Sequence, residues 1–165
     1  MGKVLKYILI FLFLLTGESL YSQVTSNNEV QKYEMDVEDF LGMFDGIFSD
    51  ALIDEISYNL PDELTIVNYG IGNFSGSGYL DLGISYKDRT CPPKTFKVIL
   101  LVNLENRTFK KVLEFYAKWK DTPFDVGFSV RNHTMNITYR KDKYWVFSSY
   151  AYQNDNLKQI REEMY

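Results

Sequence analysis

The spacing of hydrophobic residues changes character at Pro61. Between about Val30 and Ile56, apolar residues recur at three- and four-residue steps, which predicts helical structure. Gly42 and Gly46 interrupt this pattern, so it is compatible with one kinked helix or with two helices. The apolar stripe consists of Val37, Leu41, Phe44, Phe48 and Leu52.

After Pro61, apolar and polar residues alternate with a period of two, which predicts β-strands. The segment Thr95–Leu104 has apolar residues on both faces, which is typical of a central strand. Polar turns pair the last four strands into two β-hairpins. The predicted strands are Leu64–Tyr69, Leu80–Tyr86, Thr95–Leu104, Thr108–Trp119, Met135–Arg140 and Tyr144–Tyr152.

The polar segment Asn156–Met164 predicts a short C-terminal helix, with Asn154 or Asp155 as its N-cap. The whole pattern predicts an α+β fold. In this fold a mostly antiparallel β-sheet of about six strands is covered by the N-terminal helical segment and followed by the short helix. Residues 30–165 are expected to form a single globular domain.

The first 22 residues have the pattern of a secretory signal peptide. Lys3 and Lys6 precede the apolar run Tyr7–Leu15, which is too short to span a bilayer. Residues 23–29 are expected to be a flexible lead-in. We therefore expect a periplasmic or secreted protein without a transmembrane segment in the mature chain; an uncleaved N-terminal anchor is the alternative.

The formal net charge of the chain is −4, and removal of two lysines and one glutamate with residues 1–22 lowers it to −5. A protein without a basic surface is a poor ligand for nucleic acid, so no nucleic-acid partner is expected. Cys91 is the single cysteine, which excludes an internal disulfide. A buried inert thiol, an intermolecular disulfide and a reactive thiol remain open for it.

The sequence contains no recognisable catalytic motif, and we expect a protein that is not an enzyme. The single histidine, His133, lies in a predicted turn. Asp36, Glu38 and Asp39 form an acidic cluster that suits either a two-carboxylate hydrolase or the solvated face of a helix.

One segment, NFSGSGYLD at Asn73–Asp81, alternates oxygen-bearing side chains with glycine. Such a loop can curl around a calcium ion, which prefers six to eight oxygen ligands. Gly76 and Gly78 allow the positive backbone φ angles that this curl needs. Alternatively, the polar side chains bond the loop's own backbone, as in Asx and ST turns. The candidate metal ligands are Asn73, Ser75, Ser77 and Asp81.

The run GNFSGSGYLDLGIS resembles the FG-GAP or VCBS-type motif of secreted proteins, G-D-F-N-G-D-G-x-x-D-L-x-(V/I). The resemblance implies a calcium loop, but Asn73, Ser75 and Ser77 replace three usual ligands of that motif. Because calcium affinity depends on the number of charged ligands, we expect weak binding at most and no other cofactor. The matching residues are Gly72, Phe74, Gly76, Gly78, Asp81, Leu82 and Ile84.

The order of the predicted elements is similar to that of small secreted bacterial proteins with a single VCBS-type motif, some of which are lysozyme inhibitors or immunity proteins. This similarity implies a secreted or periplasmic non-catalytic binding protein whose partner is an envelope enzyme or a glycan. Two alternatives remain open. One is a structural envelope protein with a weak or vestigial calcium loop, and the other is an unrecognised carboxylate-dependent hydrolase.

Overall fold

The structure is a computed structural model that describes residues 35–118 and 126–165. These residues form two short helices and eight β-strands. The helices are α1 (Val37–Gly42) and α2 (Asp50–Tyr58). The strands are β1 (Leu64–Gly72), β2 (Asp81–Asp88), β3 (Thr95–Leu104), β4 (Thr108–Lys118), β5 (Val126–Arg131), β6 (Thr134–Lys141), β7 (Tyr144–Gln153) and β8 (Asn156–Met164).

All neighbouring strands pair in the antiparallel direction, as the sequence predicted. Strands β1 to β4 form one half of the sheet in chain order, and β5 to β8 form the other half. The two halves meet where Lys118 of β4 pairs with Arg140 of β6. The described residues therefore contain two strands more than the six predicted.

Strand β3 is buried on both faces, which confirms its predicted central position. Ile99 and Leu101 belong to one apolar core, whereas Val98 and Leu100 belong to a second core on the opposite face. Because side chains of a strand alternate between faces, β3 separates two layers of apolar packing. The first core contains side chains of both helices, and the second contains side chains of β5, β6 and β7.

The two helices cover the first core as an aromatic layer. Phe40 and Phe44 pack edge to face with ring centroids 5.0 Å apart, and Phe48 packs on Phe109 of β4 at 5.5 Å. The helical structure is interrupted between α1 and α2, where Gly46 adopts a φ of +74°. Two residues of the predicted apolar stripe, Val37 and Leu41, are only half-buried. The buried side chains of this segment are Phe40, Phe44, Phe48, Leu52 and Ile56.

Strand β5 lies close against β1 on the side of the second core. The side-chain amide of Asn68 donates a hydrogen bond to the carbonyl oxygen of Val126 at 2.7 Å. A Cβ atom built on Gly70 would lie 2.4 Å from Cβ of Phe128, and one on Gly72 would lie 2.8 Å from Cβ of Val130. The approach of these two strands therefore requires residues without side chains on β1.

The prediction of a C-terminal helix is wrong, because Asn156–Met164 is strand β8 and pairs with β7. Asn154 and Asp155 do not cap a helix; they have φ angles of +50° and +59° and connect the paired residues Gln153 and Asn156. Two consecutive positive φ angles are typical of a tight hairpin turn, which directs the chain back along β7. Strand β5 is a second element that the sequence analysis did not assign.

Strand β8 is the last strand on its side of the sheet. Its pairing with β7 is interrupted: Ser149 pairs with Arg161, but Tyr150 pairs with Gln159. Ile160 is consequently an extra residue without a cross-strand partner, and its side chain is exposed. This irregularity is a β-bulge on an edge strand.

The predicted signal peptide at residues 1–22 and the lead-in at residues 23–29 lie outside the described residues. Among the residues that the structure does describe, no helix has both the length and the apolar character needed to cross a membrane.

Candidate functional site

The glycine loop, residues 73–80, connects β1 to β2. Gly72 and Asp81 are paired across the base of the loop, where β1 ends and β2 begins. Phe74 is fully buried in the second core and anchors the first part of the loop. The remaining residues, from Gly76 to Leu80, are exposed. The loop is thus fixed at its base and at one internal residue, while its tip faces solvent.

Asp81 holds the glycine loop together from within the protein. Its side chain is fully buried, and one carboxylate oxygen accepts a hydrogen bond from the backbone N–H of Ser75 at 2.7 Å. The other oxygen accepts the Ser75 hydroxyl at 3.1 Å and the backbone N–H of Asn103 at 2.9 Å. Because Asn103 belongs to β3, Asp81 joins the loop to the central strand.

The tip of the loop is closed by bonds among its own polar groups. The hydroxyls of Ser75 and Ser77 lie 3.0 Å apart, and the Ser77 hydroxyl accepts the backbone N–H of Tyr79 at 3.2 Å. Gly76 and Gly78 have φ angles of +76° and +88°, which residues with side chains adopt only with strain. The two glycines and the two serines therefore define one preferred shape for the tip.

Burial is the largest influence on the pKa of Asp81 and raises it above the ordinary value of 3.8. The backbone N–H groups of Ser75 and Asn103 act in the opposite direction, because they stabilise the charged carboxylate. The net direction is upward, so this carboxyl group holds its proton more strongly than an exposed aspartate does.

The structure brings three of the four candidate calcium ligands together, because Ser75, Ser77 and Asp81 are joined by hydrogen bonds. The fourth, Asn73, has a buried Oδ1 atom that finds no hydrogen-bond partner within residues 35–118 and 126–165. Asn103 was not among the sequence candidates, but its buried Oδ1 atom also lacks a hydrogen-bond partner within the described residues. Its side-chain N–H group donates to the carbonyl oxygen of Leu80 at 3.2 Å.

These donors fit a weakly held calcium ion better than a tightly held one. The set contains neutral oxygens and a single carboxylate, and both oxygens of that carboxylate already accept hydrogen bonds. Calcium sites gain affinity from the number of charged ligands. In the described part of the chain, no group of three or more His, Cys, Asp or Glu residues is placed to hold a metal ion.

The glycine loop shares its end of the sheet with three turns, and we call this surface the loop end. His133, in the turn between β5 and β6, places Nδ1 3.1 Å from the carbonyl oxygen of Asn73. Lys110 Nζ, near the turn between β3 and β4, donates to the carbonyl of Asp155 in the turn between β7 and β8 at 3.3 Å. Tyr79 and Leu80 are each 40% exposed at this end.

The other sequence candidates lie away from the loop end. Asp36 is the N-cap of α1, where its Oδ1 accepts the backbone N–H of Asp39 at 2.8 Å, and Glu38 is exposed beside it. Cys91 is a half-buried free thiol in the loop between β2 and β3, and burial raises its pKa. The acidic cluster therefore forms the solvated start of a helix.

No protein-family model, curated protein or solved structure matches this chain. The resemblance of residues 72–84 to the FG-GAP or VCBS-type motif accordingly stays a prediction from the sequence.

Proposed function

We propose that the chain is a secreted or periplasmic, non-catalytic binding protein that engages an envelope enzyme or glycan through its loop end. The observation that carries this proposal is the glycine loop itself. Its base is held by the buried carboxylate of Asp81, and its tip exposes Tyr79 and Leu80.

A loop of fixed shape is suited to binding, because little conformational entropy is lost when it meets a partner. Tyrosine is among the residues that contribute most to protein interfaces, since it combines apolar area with a hydroxyl group. Tyr79 and Leu80 supply such a contact at the tip, and the backbone polar groups behind them are already bonded within the loop. An inhibitor or immunity-type protein that inserts a loop into the cleft of an envelope enzyme has these properties.

Removal of the exposed tip should abolish partner binding without unfolding the chain. We expect Tyr79→Ala combined with Leu80→Ala to weaken binding by about a thousandfold, since two hot-spot side chains that each contribute about 2 kcal/mol sum to about 4 kcal/mol. The measurement is a thermal-shift and inhibition panel in which the mature chain is mixed with peptidoglycan hydrolases and with peptidoglycan fragments.

The matched control is Tyr144→Ala combined with Ile160→Ala, which removes side chains of similar or greater exposure away from the loop end. This control should bind like the unmodified chain. The proposed use of the loop would be contradicted if both double variants lost the same amount of affinity, or if the Tyr79/Leu80 variant bound with unchanged affinity. Absence of any partner in the panel would reject the envelope-enzyme and peptidoglycan assignment.

A second candidate is a structural envelope protein with a weak calcium loop. The specific observation that favours it is a pair of buried amide oxygens, Asn73 Oδ1 in the loop and Asn103 Oδ1 on β3, which have no hydrogen-bond partner among the described residues. A buried acceptor without a partner costs about 1–3 kcal/mol, and a cation or a water molecule would remove that cost.

For this candidate we expect calcium to bind the chelator-treated mature chain with a dissociation constant of about 1 mM, in the range of extracellular calcium modules. Calorimetric titration measures it, and Asp81→Asn should abolish the signal because it removes the single carboxylate. Magnesium serves as the control ion, since it prefers a smaller octahedral site. A silent titration of the unmodified chain would exclude this candidate.

A further inference from the structure

Charge is strongly segregated between the helices and the sheet. Residues 35–63, which contain both helices, hold nine acidic residues and no lysine, arginine or histidine. The described sheet residues, 64–118 and 126–165, hold fourteen lysines and arginines against eight aspartates and glutamates. The small net charge of the whole chain therefore conceals a helical layer of formal charge −9 on a sheet of formal charge +6.

Eight of the nine acidic residues are exposed, and only Glu55 is half-buried. In α2, Asp50, Asp54 and Tyr58 are exposed at four-residue steps, so they form one stripe along the helix. Leu52 and Ile56, on the opposite face, are fully buried in the first core. The stripe consequently faces solvent over the whole length of the helix.

Exposed apolar side chains accompany this acidic surface. Met43 and Ile47, between the two helices, are 42% and 52% exposed, and Tyr58 at the end of α2 is 89% exposed. We call the exposed side of residues 35–63 the acidic layer. Its combination of charge with apolar side chains is the composition expected of a surface that binds a partner of opposite charge.

The stability of the helices accounts for only part of the acidic layer. Asp36 caps α1, and Glu38, Asp39 and Asp50 lie in first helical turns, where the helix dipole favours a carboxylate.

The remaining negative charge is not explained in this way. Carboxylates at i and i+4, such as Asp50 and Asp54, repel each other and weaken a helix. Neither helix has a basic residue in its last turn, where a cation would be favourable. Within the described chain, Glu63 pairs with Arg89 and Glu55 accepts the Thr108 hydroxyl at 2.8 Å, which leaves most of the charge facing solvent.

We propose that the acidic layer is a docking surface for a cationic protein, whose lysine- and arginine-rich face covers α1 and α2. Charge complementarity identifies the partner, and Met43, Ile47 and Tyr58 provide the apolar contacts. The proposal goes beyond the glycine loop, since it concerns a different surface and rests on different residues.

The test uses cytochrome c as a cationic probe and succinylated cytochrome c as its anionic counterpart. Two triple variants of the mature chain have the same net charge. The first, Glu38→Gln, Asp45→Asn and Asp54→Asn, neutralises the acidic layer. The second neutralises exposed turns of the sheet through Glu105→Gln, Asp142→Asn and Asp155→Asn.

At an ionic strength of about 0.01 M, we expect the unmodified chain and the turn variant to bind cytochrome c equally, and the acidic-layer variant to bind about tenfold more weakly. The succinylated probe should not bind. Equal weakening in the two variants would show that only net charge matters and would overturn the proposal, as would failure of the unmodified chain to bind the cationic probe.

A second measurement keeps the test decisive if a variant fails to fold. Amide chemical shifts of the unmodified chain are followed as cytochrome c is added. We expect the perturbed amides to cluster in residues 35–63, and perturbations spread over the sheet would reject the acidic layer as the docking surface. Neither measurement depends on Tyr79 or Leu80, so its failure leaves the proposal for the glycine loop intact.

Discussion

Gly70→Ala is expected to lower the free energy of unfolding by about 3 kcal/mol, a large effect for the addition of one methyl group. The new Cβ atom would lie 2.4 Å from Cβ of Phe128, which is far inside the contact distance of two carbon atoms. Because this neighbour is attached directly to the backbone of β5, a side-chain rotation cannot relieve the clash. Strand β5 would have to move away from β1. Chemical denaturation measures the change.

Two further substitutions separate this clash from general effects of alanine. Gly42→Ala places its Cβ in open space and should change stability by less than about 1 kcal/mol. The Cβ atom of Gly83→Ala would lie 2.7 Å from the ring of Phe128 and 3.1 Å from a methyl group of Leu100. Because the ring is the closer neighbour, Phe128→Ala should relieve much of the cost of this substitution. The same second substitution leaves Cβ of residue 128 in place and should not rescue Gly70→Ala. Rescue of both would show that the backbone approach of β5 is not the cause.

Asp81→Ala is expected to lower the free energy of unfolding by about 3 kcal/mol. The substitution leaves the backbone N–H groups of Ser75 and Asn103 without their acceptor, and the latter group is buried. The glycine loop also loses its connection to β3. We expect amide hydrogen exchange to accelerate in residues 73–80, whereas Asp142→Ala, at an exposed turn, should leave this exchange unchanged.

The pH dependence of stability separates the effect of the ionisable group of Asp81 from the effect of its size and shape. Since its folded pKa is raised, the native chain binds this proton more strongly than the unfolded chain does. The contribution of Asp81 to stability is therefore complete below the ordinary pKa of 3.8 and declines as the pH rises through the folded value. Asp81→Asn should lack this decline. Parallel pH profiles of the two proteins would contradict the raised pKa.

The alternation of apolar residues was sufficient to predict six of the strands and the two-faced burial of β3. It failed for β8, because Asn156–Met164 is polar at most positions and faces solvent at the sheet edge, where burial imposes no period of two. The dipeptide Asn154-Asp155 was the available signal, since asparagine and aspartate adopt positive φ angles readily. Strand β5 also alternates, with Val126 and Phe128 on the face of the second core.

The candidate site could be predicted only in part for a similar reason. The glycines and serines of the loop form a local pattern, so the sequence alone indicated both its curvature and its internal hydrogen bonds. Asn103 is far from the loop in the chain, and its contact with Asp81 arises from the pairing of β2 with β3. The closeness of Gly70 to Phe128 likewise depends on how one half of the sheet folds over the other.

The bulge at Ile160 has a consequence for solubility at high concentration. An unpaired strand edge can recruit the edge of another molecule and start an amyloid-like stack. In β8 the extra residue bends the ladder, and the charges of Lys158, Arg161 and Glu162 stand close to it. A second chain could not form a continuous row of hydrogen bonds along such an edge without leaving charges poorly solvated. Strand β8 thus protects its own edge of the sheet from pairing with another molecule.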